Sequence, residues 1–158
     1  CSNFIENVND FCKKYSELGS VKIHGGMNMA DRNRSVERFY TDDYRILFAT
    51  PASAKEGLTL TMANHVIFYD RGFSLDDYLQ AQDRIHRISQ KKTCYIHNII
   101  VNDSIDEWVD ILLKAKQNAA FLAQGDISLS KYRKIADYSF GDLINAILFP
   151  EQEEFDYE

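Results

Sequence analysis

Residues 80–90 read Gln80-Ala-Gln-Asp-Arg-Ile-His-Arg-Ile-Ser-Gln90, and their spacing predicts a helix over about 75–88. At 100° per residue, Gln80, Asp83, Arg84 and Arg87 fall in one narrow sector, while Tyr78, Ala81, Ile85 and Ile88 gather in another. A helix of that kind docks on its apolar stripe and holds two guanidinium groups outward. Arginine suits this task because its planar, permanently charged head binds phosphate oxygens in pairs. On spacing alone, a solvated basic face with ordinary packing behind it is the better account of the pattern, since short charge patterns are common.

The residues themselves are more specific than their spacing. The window resembles motif VI of the Swi/Snf-type DNA translocases in helicase superfamily two, whose usual form is QAxDRxHRIGQ, with Ser89 in place of the usual glycine. The resemblance implies that Arg84 and Arg87 are finger residues reaching a nucleotide held by another lobe. Such fingers stabilise charge developing on the transferred phosphoryl group. It also places Gln80 beside that nucleotide.

Further matches fall in the family order. Arg45-Ile-Leu-Phe-Ala-Thr50, followed by Pro51-Ala-Ser-Ala-Lys-Glu-Gly-Leu-Thr-Leu60, resembles motif V, a strand leading into a small-residue loop. There the resemblance puts Thr50 against the nucleic-acid backbone and Gly57 beside the nucleotide ribose. The loop is one residue longer than usual, and Thr59 stands where Asn or Asp is common. His24-Gly25-Gly26 ends a short strand, much as the family's strand runs into a glycine, which assigns Gly25 to the nucleic-acid track. Arg32-x-x-x-Val36-x-x-Phe39, Asn64 to Asp70, and Thr93 to Val101 followed by Ser104-Ile-Asp-Glu107 complete the series. The likeness spans about residues 1–120.

Neither a G-x-x-x-x-G-K-[ST] phosphate loop nor an Asp-Glu-x-His box occurs in the chain. The resemblance is therefore to the second of two RecA-like lobes. It implies ATP and Mg²⁺ held mainly by an N-terminal RecA-like lobe, with this piece inactive on its own, and double-stranded DNA as the track. Cys1-Ser-Asn-Phe4 resembles the residues just after that lobe's first strand, so a strand is expected before Cys1.

Composition agrees with one globular α/β lobe: 158 residues, 45% hydrophobic and 27% charged. No run of eighteen apolar residues and no signal-like start is present, so no membrane partner is expected. Three cysteines, at 1, 12 and 94, form no C-x-x-C pair and read as free thiols of a reducing, intracellular compartment. The four histidines are scattered, and no metal site is expected. Net charge is −6, but residues 1–100 hold thirteen basic and twelve acidic side chains, and residues 101–158 hold five and twelve. The motif-bearing part is near neutral, so backbone amides and hydroxyls, more than a basic patch, would meet phosphate.

Along the chain, helical spacing predicts helices at 4–18, about 30–41 and about 52–57. Strands are expected at 21–24, 45–50, 65–70 and 93–101. Alternating strand and helix implies a RecA-like three-layer sandwich with a mostly parallel sheet, ligands sitting at the carboxyl ends of the strands. Ser104 and Glu107 make a capping box for a helix running to about Gln124. The lobe is thus assigned to 1–124, a helical extension to 125–150 and an acidic tail to 151–158. A protein partner for the extension, or for Phe155 and Tyr157 of the tail, is compatible with these residues. Two other functions remain open: a non-catalytic RecA-like module that docks or restrains a partner, and the lobe of a strand-separating or restriction-system helicase.

Overall fold

The computed structural model describes residues 1–41, 43–55 and 59–125. The expected extension from 126 and the tail at 151–158 lie outside the described residues, as does Gly57. Among the described residues four helices and four strands follow in the order α1 (Ile5–Lys14), β1 (Ser20–Ile23), α2 (Met29–Phe39), β2 (Ile46–Ala49), β3 (His65–Phe68), α3 (Leu75–Gln82), β4 (Tyr95–Asn98) and α4 (Ile105–Gln124). Short 3₁₀ turns follow α1 at Ser16–Leu18 and β2 at Pro51–Lys55. Residues 1–106 form one compact unit, and α4 from Glu107 onward belongs to a second.

Both strand pairs are parallel. β1 pairs with β2 in the register Val21 to Leu47 and Ile23 to Ala49, and β3 pairs with β4, Val66 to Ile96 and Phe68 to Asn98. Each pair encloses a helix in sequence, as parallel strands require. Cys1 and Ser2 stitch the two pairs together. Ser2 N–H donates to the Ala49 carbonyl at 3.1 Å, Tyr69 N–H to the Cys1 carbonyl at 2.9 Å, and the Cys1 amino group to the Ile67 carbonyl at 2.5 Å.

Local chemistry accounts for the element ends. The Asn28 side chain caps α2 by accepting from Asp31 N–H at 2.9 Å, and Ser74 caps α3 by accepting from Asp77 N–H at 3.2 Å. Gly19 turns into β1 with φ +70°, and a Cβ there would stand 1.9 Å from the Asp43 carbonyl oxygen. No other residue fits that position. At α4, Ser104 Oγ accepts from Asp106 N–H at 3.1 Å, and the Asp106 carboxylate reaches back to Val101 N–H at 3.1 Å. The reciprocal cap is thus built with Asp106, one residue before the expected Glu107.

The core of the first unit gathers Val21, Phe39, Leu60, Val66, Phe68, Ala81 and Ile85, with Tyr44, Leu47, Tyr78 and Ile96 packed around them. α1 lies on β1 and β2 through Val8, which is 1% exposed, and through Phe11, whose ring meets Phe48 and Tyr69.

One expectation is corrected. The helix predicted to 88 stops at Gln82, and residues 83–89 continue as turns. The Arg84 carbonyl, which would accept from residue 88 in a helix, accepts from Leu60 N–H at 2.9 Å instead, and the Ile85 carbonyl accepts from Gln90 Nε2 at 3.1 Å. Tertiary bonds replace the helical ladder. Ile85 still anchors the turn in the core at 4% exposure, but Ile88 leaves the apolar stripe and is fully exposed. β2, β3 and β4 are also shorter than the runs that predicted them, and β3 alternates buried and exposed residues, with His65 and Ile67 outward.

Candidate nucleotide-finger turn and nucleic-acid edge

Two groups of polar residues stand apart, one at the carboxyl ends of β1 and β2 and one in the turn after α3, beside residues 59–63 that lead into β3. The first closes β1 and β2. Thr50 N–H donates to the Ile23 carbonyl at 3.2 Å, which extends the ladder by one residue. Ser53 Oγ donates to the Ile23 and Thr50 carbonyls at 3.0 and 2.7 Å, and Arg32 Nη2 donates to the Ser53 carbonyl at 2.8 Å. His24, Arg32, Thr50 and Ser53 are four of the buried polar residues of the chain, so this edge is a built polar platform. Sequence reasoning assigned Thr50 and Gly25 here but missed Arg32 and Ser53. The R-x-x-x-V-x-x-F spacing flagged the helix without saying that its arginine would clamp the loop after β2.

Gly25 and Gly26 follow directly on β1. Gly25 is exposed, its φ is not left-handed, and a Cβ built on it meets nothing within 4 Å. Nothing inside the described residues demands glycine there. His24 is 8% exposed, and its Nδ1 has no hydrogen-bond partner among the described residues. Burial pushes its pKa below the ordinary histidine value, and the nearby Lys22 charge adds to the effect.

The second group is the turn after α3. Arg87 Nε donates to the Asp83 carbonyl at 3.2 Å, and Arg87 Nη1 to Thr59 Oγ1 at 2.8 Å. Thr59 is held in turn, because its carbonyl accepts from the Tyr40 hydroxyl at the end of α2. Gln90 Nε2 meets three carbonyls, those of Thr61, Ala63 and Ile85, at 3.1, 2.9 and 3.1 Å. An amide NH₂ has two hydrogens, so one is shared. Gln90 was visible as the last residue of the motif, yet its role as the bolt between residues 61–63 and the arginine turn was not. Arg84 is partly buried, with its carbonyl on Leu60 and its neighbour Ile85 in the core. Arg87 lines an open surface depression with His86, Ile88 and Ser89. Serine is accommodated at 89 because the backbone there does not adopt a positive φ.

The two arginines therefore sit on a turn, not on the helix predicted to carry them. That turn is tied to Thr59 and Leu60, the far end of the loop after β2. Gln80 is exposed in the last turn of α3. α2 touches both groups, through Arg32 on Ser53 and Tyr40 on Thr59. Among the described residues no group of three or more His, Cys, Asp or Glu side chains is placed to hold a metal ion, and no helix is long and apolar enough to cross a membrane.

Comparison with known proteins agrees with this architecture. Residues 1–89 match the family model described as helicase conserved C-terminal domain. The chain is 35% identical to the ATP-dependent helicase ULS1 of Saccharomyces cerevisiae over 73% of its length and 7% of that protein. It is 36% identical to the putative ATP-dependent helicase/translocase YwqA of Bacillus subtilis over 60% of its length and 10% of that protein. Among solved structures, the C-terminal part of Fun30 ATPase domain superposes with a TM-score of 0.66 at 30% identity, covering 71% of this chain and 37% of that one. The chain belongs to the helicase conserved C-terminal domain family, and its relatives place it among the C-terminal RecA-like lobes of Swi/Snf-type ATP-dependent helicases. It spans about a tenth of the length of these curated relatives.

Proposed function

We propose that this chain is the second lobe of an ATP-driven translocase on double-stranded DNA. ATP, with its Mg²⁺, is the substrate and is held mainly by a partner N-terminal RecA-like lobe. Arg84 and Arg87 reach its γ-phosphate from the turn after α3; Gln80 is assigned to the nucleotide as well, and Gly57 to its ribose. Gly25 and Thr50 meet the DNA backbone at the ends of β1 and β2. Hydrolysis transfers the γ-phosphoryl group to water, and the arginines stabilise the charge that spreads over its oxygens as the bond to the β-phosphate breaks.

The observation that carries this reading is the bracing of the arginine turn. A finger must be positioned before the reaction, since electrostatic stabilisation depends on preorganised donors. Bonds from Leu60, Gln90 and Thr59 supply that bracing, where an incidental basic face would have no use for it. Gly25 supports the nucleic-acid half, because its missing side chain serves no internal contact and leaves the backbone open to a phosphate.

The test joins this chain to a first RecA-like lobe and measures DNA-stimulated ATP hydrolysis. Arg84→Ala and Arg87→Ala should each lower turnover by roughly 10³–10⁵, the range of arginine fingers in other nucleotide hydrolases. DNA affinity without nucleotide should stay near that of the parent. Near-normal turnover in both variants would remove the finger assignment.

A further inference from the structure

Resting on the finger reading of Arg87, we propose that Thr59 is its positioning residue, and that this hydroxyl takes over in this chain the place where asparagine or aspartate is common. Arg87 has five N–H donors, and among the described residues two are engaged, Nε on the Asp83 carbonyl and Nη1 on Thr59 Oγ1 at 2.8 Å. The first bond fixes the guanidinium at its root. The second fixes its rotation, because a planar fork held at two points has one orientation left.

Thr59 is itself anchored. Its carbonyl accepts from the Tyr40 hydroxyl, and the next residue, Leu60, donates its N–H to the Arg84 carbonyl and packs in the core. The hydroxyl therefore stands on backbone braced from both α2 and the arginine turn. A neutral acceptor suits the task. A hydroxyl orients the group while leaving its positive charge for the nucleotide.

The experiment uses the two-lobed form, with ATP as the probe. Thr59→Val keeps the β-branched shape and removes the acceptor. Its kcat should fall by up to roughly a hundredfold, the scale of a misplaced reacting group, with KM for ATP little changed. Thr59→Ser, which keeps the oxygen, should restore most of the rate. Thr59→Val combined with Arg87→Ala should be no slower than Arg87→Ala alone, since a residue that acts only through Arg87 has nothing further to lose.

Other outcomes overturn the inference in distinguishable ways. If Arg87→Ala abolishes hydrolysis while Thr59→Val turns over normally, the finger stands and its positioning by Thr59 does not. If Thr59→Ser is as slow as Thr59→Val, or the losses add to that of Arg87→Ala, Thr59 acts by packing. If Arg87→Ala hydrolyses normally, the finger reading fails and the inference falls with it. Should Thr59→Val lower the melting temperature, Thr59→Ala set against Thr59→Ser makes the same comparison of hydroxyl lost with hydroxyl kept.

Discussion

Gly25 and His24 stand side by side at the end of β1 and answer to opposite constraints. Gly25 is exposed with open space where a Cβ would go. Gly25→Ala should therefore leave the melting temperature nearly unchanged, within the small range of surface substitutions. If a DNA phosphate approaches the backbone there, the same change weakens DNA binding, measured as the salt-dependent affinity of the two-lobed form. Unchanged affinity would remove Gly25 from the track. His24 is buried, with Nδ1 unpartnered among the described residues and its pKa below 6.5. The sign follows from proton uptake. Between the folded value and 6.5 the unfolded chain binds the proton and the folded chain does not, so stability falls as pH drops through that window. Denaturant midpoints taken from pH 7.5 down to 5 should show the loss, and His24→Gln should flatten it.

Individual elements were legible in proportion to how local their causes are. α2 and β2 lie within a residue or two of their predicted spans, because apolar periodicity and, for α2, the Asn28 cap act within one turn of chain. The end of α3 was not legible. Nothing in residues 75–90 shows that Leu60 N–H will take the Arg84 carbonyl, or that Gln90 will reach back to residues 61–63. The motif resemblance singled out Arg84 and Arg87 as fingers projecting from a rigid helix, but the surface that carries them is a turn made by long-range bonds. That bracing predicts a cost for Gln90→Ala. Leaving partly buried carbonyls without their donor should destabilise the chain by about 1–3 kcal/mol, read from urea denaturation. Turnover in the two-lobed form should fall as well. Full stability in this variant would mean that water replaces the amide without loss.

At the scale of the whole molecule, the lobe assignment explains the charge balance. Under the proposed function, a near-neutral motif-bearing part and buried hydroxyls at the strand ends would suit a lobe that meets phosphate at a few points and leaves the rest to a first lobe. The 158-residue chain should accordingly show no DNA-stimulated ATP hydrolysis alone, tested by phosphate release with double-stranded DNA. Robust turnover would overturn the two-lobe assignment.

The seam made by Cys1 and Ser2 carries one more consequence. Three backbone bonds from two residues join the β1–β2 pair to the β3–β4 pair, whereas each pair is laced internally along four registered residues. In deuterium exchange the two pairs would behave as separate cooperative blocks. The amides of Ser2 and Tyr69, which span the seam, would open together and ahead of Leu47 or Ile96. The first line of opening would then run between the β1–β2 edge that carries Gly25 and Thr50 and the β3–β4 strands that flank the arginine turn.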